Sequence, residues 1–167
     1  MAIDKLTEFE INFLLKNGKR SSILCNFDFQ SITLFSYGFL KKKIPSYLKK
    51  EDFEKLVKKA FKDRKQKLKE LPNEKEIIYF VLWLNDEIKF WNEKEADYLS
   101  ADPDMKMLAA GIKELDIFGI NNTIDALAGG DITKYKKVER LPYGMIFDKL
   151  WKTTIEQKIQ KKLSKQK

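Results

Sequence analysis

From Glu74 to Tyr98 the chain runs without a glycine or a proline, and its middle, Ile77-Ile78-Tyr79-Phe80-Val81-Leu82-Trp83-Leu84, is apolar on all sides. Leu71-Pro72 breaks whatever precedes it. Asn73 is a natural N-cap, and Glu74 and Glu76 fall in the first turn, where the helix dipole favours acidic groups. The pattern predicts a long helix that runs through the middle of a core. Such a helix has to be covered by other amphipathic elements.

The rest of the chain offers helices to do this. Leu6, Phe9, Phe13 and Leu14 recur at helical spacing over 4–16, with Gly18 as a stop. Ile32, Phe35 and Phe39 predict a helix over about 29–41, ended by Lys41-Lys42-Lys43 and Pro45. Lys50 to Leu71 reads as one long helix, with Phe53, Leu56, Val57, Ala60, Phe61, Arg64 and Leu68 on one face. Asp102-Pro103 reads as a helix start, followed by the stripe Met107, Leu108, Ile112, Leu115 and Phe118 and a stop at Gly119. A short helix from about Thr123 ends at Gly129-Gly130. Asp131 caps a piece carrying Ile132, Tyr135 and Val138. Leu141-Pro142-Tyr143 opens a last helix with Ile146, Phe147, Leu150, Trp151, Thr154 and Ile155 inward.

The expected fold is therefore all-α, a compact domain of about six to eight helices over 1–155. Ile23, Cys25, Phe27 and Phe29 alternate with Leu24, Asn26 and Asp28, which admits one small β-hairpin near 20–29. Beyond Ile155 lysine replaces apolar residues, so 156–167 reads as a flexible basic tail.

Composition narrows the chemistry. The 167 residues contain no histidine and one cysteine, Cys25. That excludes His-dependent triads, His-ligated zinc and a disulfide framework within the chain, and it fits a reducing, cytoplasmic setting. No apolar run reaches the roughly 18–20 residues a membrane span requires, and MAIDKLTEFE lacks the basic start and apolar stretch of a signal peptide. Cys25, between Leu24 and Phe27, reads as a buried inert thiol rather than a nucleophile, since it has no base to activate it. Asp102, Asp104, Asp116, Asp125 and Asp131 carry no calcium-loop spacing and read as caps and solvent-facing groups. Glu87-Ile88-Lys89 matches a fragment of some metal-dependent nucleases, but falls on a predicted helix instead of a strand. Gly129-Gly130-Asp131 lacks both GxGxxG and Walker spacing, and reads as a helix stop and restart. Residues 131–152 form a helix-turn-helix pattern whose second helix would expose Tyr143, Lys149 and Lys152. Without an arginine, and with Asp148 among them, this reads as structural. No enzymatic activity, metal, cofactor or small-molecule substrate is expected.

Charge is the feature left to explain. Of 33 basic residues only Arg20, Arg64 and Arg140 are arginine, and the net charge is +8. Such lysine excess is also what AT-rich coding produces. Its distribution is uneven: residues 41–69 carry thirteen basic and four acidic groups, net +9, while 70–131 carry five and fourteen, net −9. Either the two blocks face each other within the fold or the basic one faces an acidic partner. Lys41, Lys42 and Lys43, with Lys55, Lys58, Lys59, Lys62, Lys65 and Lys69 along the next helix, form the candidate partner-binding surface. Lysine is a solvated point charge rather than a bidentate fork, and the abundant aromatics fall on inward positions. The expected partner is accordingly a protein or ribonucleoprotein with an acidic surface, and nucleic acid itself is the alternative.

Between Phe118 and Leu150 the order Gly119, Thr123-Ile124-Asp125, Ala128-Gly129-Gly130-Asp131, Val138, Leu141-Pro142-Tyr143, Phe147 and Leu150 resembles that of tailed-phage tail assembly chaperones. The resemblance covers about a fifth of the chain. It implies a small, soluble, mostly helical, non-enzymatic protein that binds a tape-measure protein and tail-tube components before assembly. The other binding role compatible with the basic surface is a phage-encoded inhibitor of a host defence nuclease, acting on RNA or a ribonucleoprotein.

Overall fold

The computed structural model describes residues 31–68, 70–100 and 105–164, and over these the protein is all-α. Seven α-helices are present among the described residues: α1 (Ile44–Lys49), α2 (Phe53–Asp63), α3 (Glu74–Leu99), α4 (Met105–Ala109), α5 (Ile120–Ala128), α6 (Tyr135–Glu139) and α7 (Tyr143–Ser164). The expected helix at 4–16, the hairpin near 20–29, Cys25, Asp102-Pro103 and Lys69 lie outside the described residues. No described helix is long and apolar enough to cross a membrane.

Helix α3 is the axis of the fold, as its apolar middle requires. Asn73 caps it: its side chain accepts from the Glu76 amide at 3.0 Å, while the Glu76 carboxylate accepts from the Asn73 amide at 2.9 Å. Ile78, Phe80, Val81 and Leu84 are buried, and α3 packs against both α2 and α7. Further along, the Trp91 ring meets Tyr143 and Phe147 edge-on at 5.6 and 5.2 Å, and Tyr98 meets Trp151 at 4.9 Å. These aromatic edges fasten α7 along α3.

An extended joint closes the core at the start of α7. Ser36 and Pro142 form an isolated antiparallel bridge. The Tyr37 amide donates to the Leu141 carbonyl at 2.8 Å, and the Tyr143 amide donates to the Phe35 carbonyl at 2.8 Å. Pro142 has no N–H to contribute, so it suits a single bridge that goes no further. The α6–α7 turn is thereby a tertiary joint, and Tyr143, expected on the outer face, is 1% exposed.

Several predicted boundaries move, each for a local reason. The helix expected over 29–41 is instead a 3₁₀ turn (Ile32–Leu34), the bridge at Ser36, and a helical stretch that passes through a π turn (Phe39–Lys43) into α1. Pro45 does not end this stretch. The Ile44 amide bonds five residues back to the Phe39 carbonyl, and Pro45 falls in the first turn of α1, where an N–H is dispensable. The helix expected over 50–71 is cut to Phe53–Asp63. Glu51 and Lys65 both take left-handed backbone, and beyond Asp63 the Gln66 amide bonds to the Phe61 carbonyl and the Lys65 amide to the Lys62 carbonyl. That pair of bonds is a Schellman stop, with lysine where glycine is usual.

The region after residue 104 departs further. Gly111, at φ +85°, breaks the expected helix into α4 and a 3₁₀ segment (Ile112–Phe118). The expected stripe is instead open at Ile112, Leu115 and Phe118, which are exposed, and Ile117 beside them is exposed to 82%. Trp151 and Ile155, expected inward, are exposed, and Ile132 is 74% exposed. Helix α7 runs on through Ser164, so 156–164 of the expected flexible tail is helical.

Candidate anion-binding cleft

Helix α2 buries Leu56, Val57, Ala60 and Phe61, which puts its lysines on the outer faces. They do not form one stripe. Lys55 pairs with Asp52 at 3.6 Å, and Lys58 pairs with Glu54 on the same helix. Lys59, Lys62 and Lys65 instead face α1 and α6 across a cleft of about 620 Å³. Lys42 and Lys43, from the π turn, line it as well. Lys41 turns the other way: its ammonium donates to Glu95 at 2.7 Å and lies 5.3 Å above the Tyr143 ring, so it belongs to the core joint.

The fold adds two cations on which the sequence reading had not settled. Lys136 and Arg140, one helical turn apart at α6 and its C-cap, form the opposite wall. Their i, i+4 spacing beside Tyr135 and Val138 was the available signal. What placed them across from α2 is tertiary. Gly38 lets α6 close in, since a Cβ there would sit 2.9 Å from the Glu139 Cβ and 3.3 Å from the Glu139 carbonyl oxygen.

Among the described residues, seven cations thus surround the cleft, against two carboxylates, and both of these are engaged. Asp63 accepts from the Ser36 amide at 2.8 Å and from the Ser36 hydroxyl at 2.6 Å. Glu139 accepts from the Lys42 ammonium at 2.5 Å. Lys43, Lys59, Lys62, Lys65, Lys136 and Arg140 make no ion pair among the described residues. Among the described residues, the aromatic groups of the lining are Phe39, which is buried, and the half-buried Tyr47. The cleft therefore offers concentrated positive charge and N–H donors with little ring surface for stacking. That arrangement attracts anionic groups and holds them by charge-assisted hydrogen bonds.

The other sequence candidates have structural places. Glu87 accepts from the Ile32 amide at 3.0 Å. Asp131 caps the turn at Ile132–Lys134, accepting from the Thr133 amide at 3.0 Å and the Thr133 hydroxyl at 2.6 Å. The Thr133 bonds, with Lys134 next, hold its carboxyl below the usual range. The Tyr135 hydroxyl donates to Asp125, which raises the tyrosine above its ordinary value. Asp116 lies on the open 3₁₀ segment. Within the segment that carries the family resemblance, Gly129 and Gly130 terminate α5, while Val138, Tyr143 and Phe147 are buried. The Lys41–Glu95 ion pair joins the two charge blocks within the chain. The chain matches no family model, no curated protein and no solved structure.

Proposed function

We propose that the protein is a non-enzymatic adaptor that receives an acidic segment of a protein partner in the basic cleft, an assembly factor of the kind its 118–150 segment resembles. One observation carries this reading: cations from the π turn, α2 and α6 converge on a concave surface whose two carboxylates are already engaged. A nucleotide brings one charge together with a base that needs a stacking wall, whereas an acidic peptide can bring one charge per residue and needs none. The scarcity of ring surface in the cleft favours the peptide. The chain would work in the cytoplasm, in keeping with its single thiol.

Fluorescence anisotropy with a labelled glutamate-rich peptide and a single-stranded RNA of equal charge, at low and physiological salt, tests the reading. The peptide should bind, weaken as salt rises, and lose at least about tenfold in affinity with K59E/K62E, since each close charge pair contributes on the order of 1 kcal/mol. No peptide binding at low salt would overturn the reading. Tighter binding of the RNA would replace it with a nucleic-acid function.

A further inference from the structure

The acidic counterpart of the cleft is present in the same chain. The 3₁₀ segment Ile112–Phe118 is unusually long for its kind, sits between two glycines of positive φ (Gly111 and Gly119), and presents Glu114 and Asp116 beside Ile112, Leu115, Ile117 and Phe118. All six of these side chains are exposed, and neither carboxylate makes an ion pair among the described residues. Four large exposed apolar side chains within seven residues suit a contact face better than a surface that meets only water. We propose that this acidic–apolar segment of one copy occupies the basic cleft of a second copy, so that the protein associates with itself through two unlike surfaces.

Charge decides between possible occupants. Among the described residues the cleft brings together seven cations and two engaged carboxylates, and in the segment Glu114 and Asp116 outnumber Lys113 and supply the missing sign. The apolar residues between them would cover Tyr47 and the carbon stems of the lysines. The net charge of +8 repels two copies at long range, so the contact depends on the two complementary faces meeting at short range. The proposal rests on the cleft being an acidic-segment site and names this chain as one source of that segment. While the cleft is occupied by another copy, an external acidic segment has to displace it.

Sedimentation velocity on the full chain tests this, starting from a monomer mass of 19.7 kDa. The average mass should rise with protein concentration and fall with added salt. Two charge-reversal variants, K59E/K62E and E114K/D116K, substitute exposed side chains, and circular dichroism checks that each stays folded. Each alone should associate at least about tenfold more weakly. An equimolar mixture of the two should recover association, because each supplies the face that the other lacks. A wild-type chain that stays monomeric at all concentrations, or a mixture that fails to recover association, overturns the proposal. If the monomer still binds the glutamate-rich peptide, only self-association has failed. If it binds neither, the cleft reading has failed with it.

Discussion

The Tyr143 hydroxyl donates to one oxygen of the Glu95 carboxylate at 2.9 Å, and the Lys41 ammonium donates to the other at 2.7 Å. A single carboxylate on α3 therefore ties down the first residue of α7 and the π turn together. Phenylalanine at 143 keeps the ring and its aromatic neighbours but removes one charge-assisted bond. Tyr143→Phe should cost about 1–2 kcal/mol, read as a lower urea midpoint. Glu95→Ala should cost more than Tyr143→Phe, because it leaves both the ammonium and the hydroxyl without their partner.

The same group sets an alkaline limit. Burial first, and then the charge of Glu95, hold the Tyr143 hydroxyl far above the ordinary tyrosine range, and burial raises Tyr37 as well. A folded-state value above the unfolded one means that the unfolded chain releases its proton first. Stability from these groups is complete below pH of about 10 and falls as pH rises beyond it. Urea titrations between pH 8 and 11 should show that decline, and Tyr143→Phe should flatten it.

Gly38 should not tolerate a methyl group. Its backbone is ordinary helix at φ −67°, so alanine would normally be neutral or helpful there. The 2.9 Å approach of a Cβ to the Glu139 Cβ reverses the sign. Gly38→Ala should destabilise by about 1–3 kcal/mol through overpacking, and should widen the cleft by moving α6. The melting temperature measures the first effect, and peptide affinity measures the second.

Lys65 sets stability against binding. It holds φ +55° at the end of α2, where glycine fits without a Cβ penalty. Lys65→Gly should raise stability by about 1 kcal/mol. The same substitution removes a cation from the cleft and should weaken glutamate-rich peptide binding about two- to fivefold. Opposite signs in the melt and the anisotropy assay would identify the strain as serving the cleft. A gain in stability with unchanged affinity would show that Lys65 has no part in binding.

The capping box at Asn73 can be tested without touching either surface. Asn73→Ala should lower stability by about 1 kcal/mol and leave peptide affinity unchanged, since α3 contributes no side chain to the cleft.

The all-α class, the long α3 with its Asn73 cap, the double-glycine stop of α5 and the Leu-Pro-Tyr entry to α7 were all legible in the sequence. Each depends on neighbours a few residues away, as capping bonds and 3.6-residue periodicity do. The shortened α2 was not legible, because helix propensity continues past Asp63 while Lys65 adopts a conformation that lysine rarely takes. Nor was the passage of the helix through Pro45, which depends on a π turn that no local pattern marks.

The basic block at 41–69 and the acidic block after it could be counted from residue types alone, but which lysines share a surface could not. Five of the nine candidates, Lys42, Lys43, Lys59, Lys62 and Lys65, line the cleft. Lys41 joins the core, Lys55 and Lys58 pair within their own stretch of chain, and Lys69 lies outside the described residues. Lys136 and Arg140 arrive from far along the chain because Gly38 lets α6 approach. The sequence by itself determined the helices and the sign of their charges, since both follow from residue type and short-range spacing. Tertiary structure alone decided where that charge is concave, because a cleft is a relation between surfaces distant in sequence, set by backbone approach and core packing.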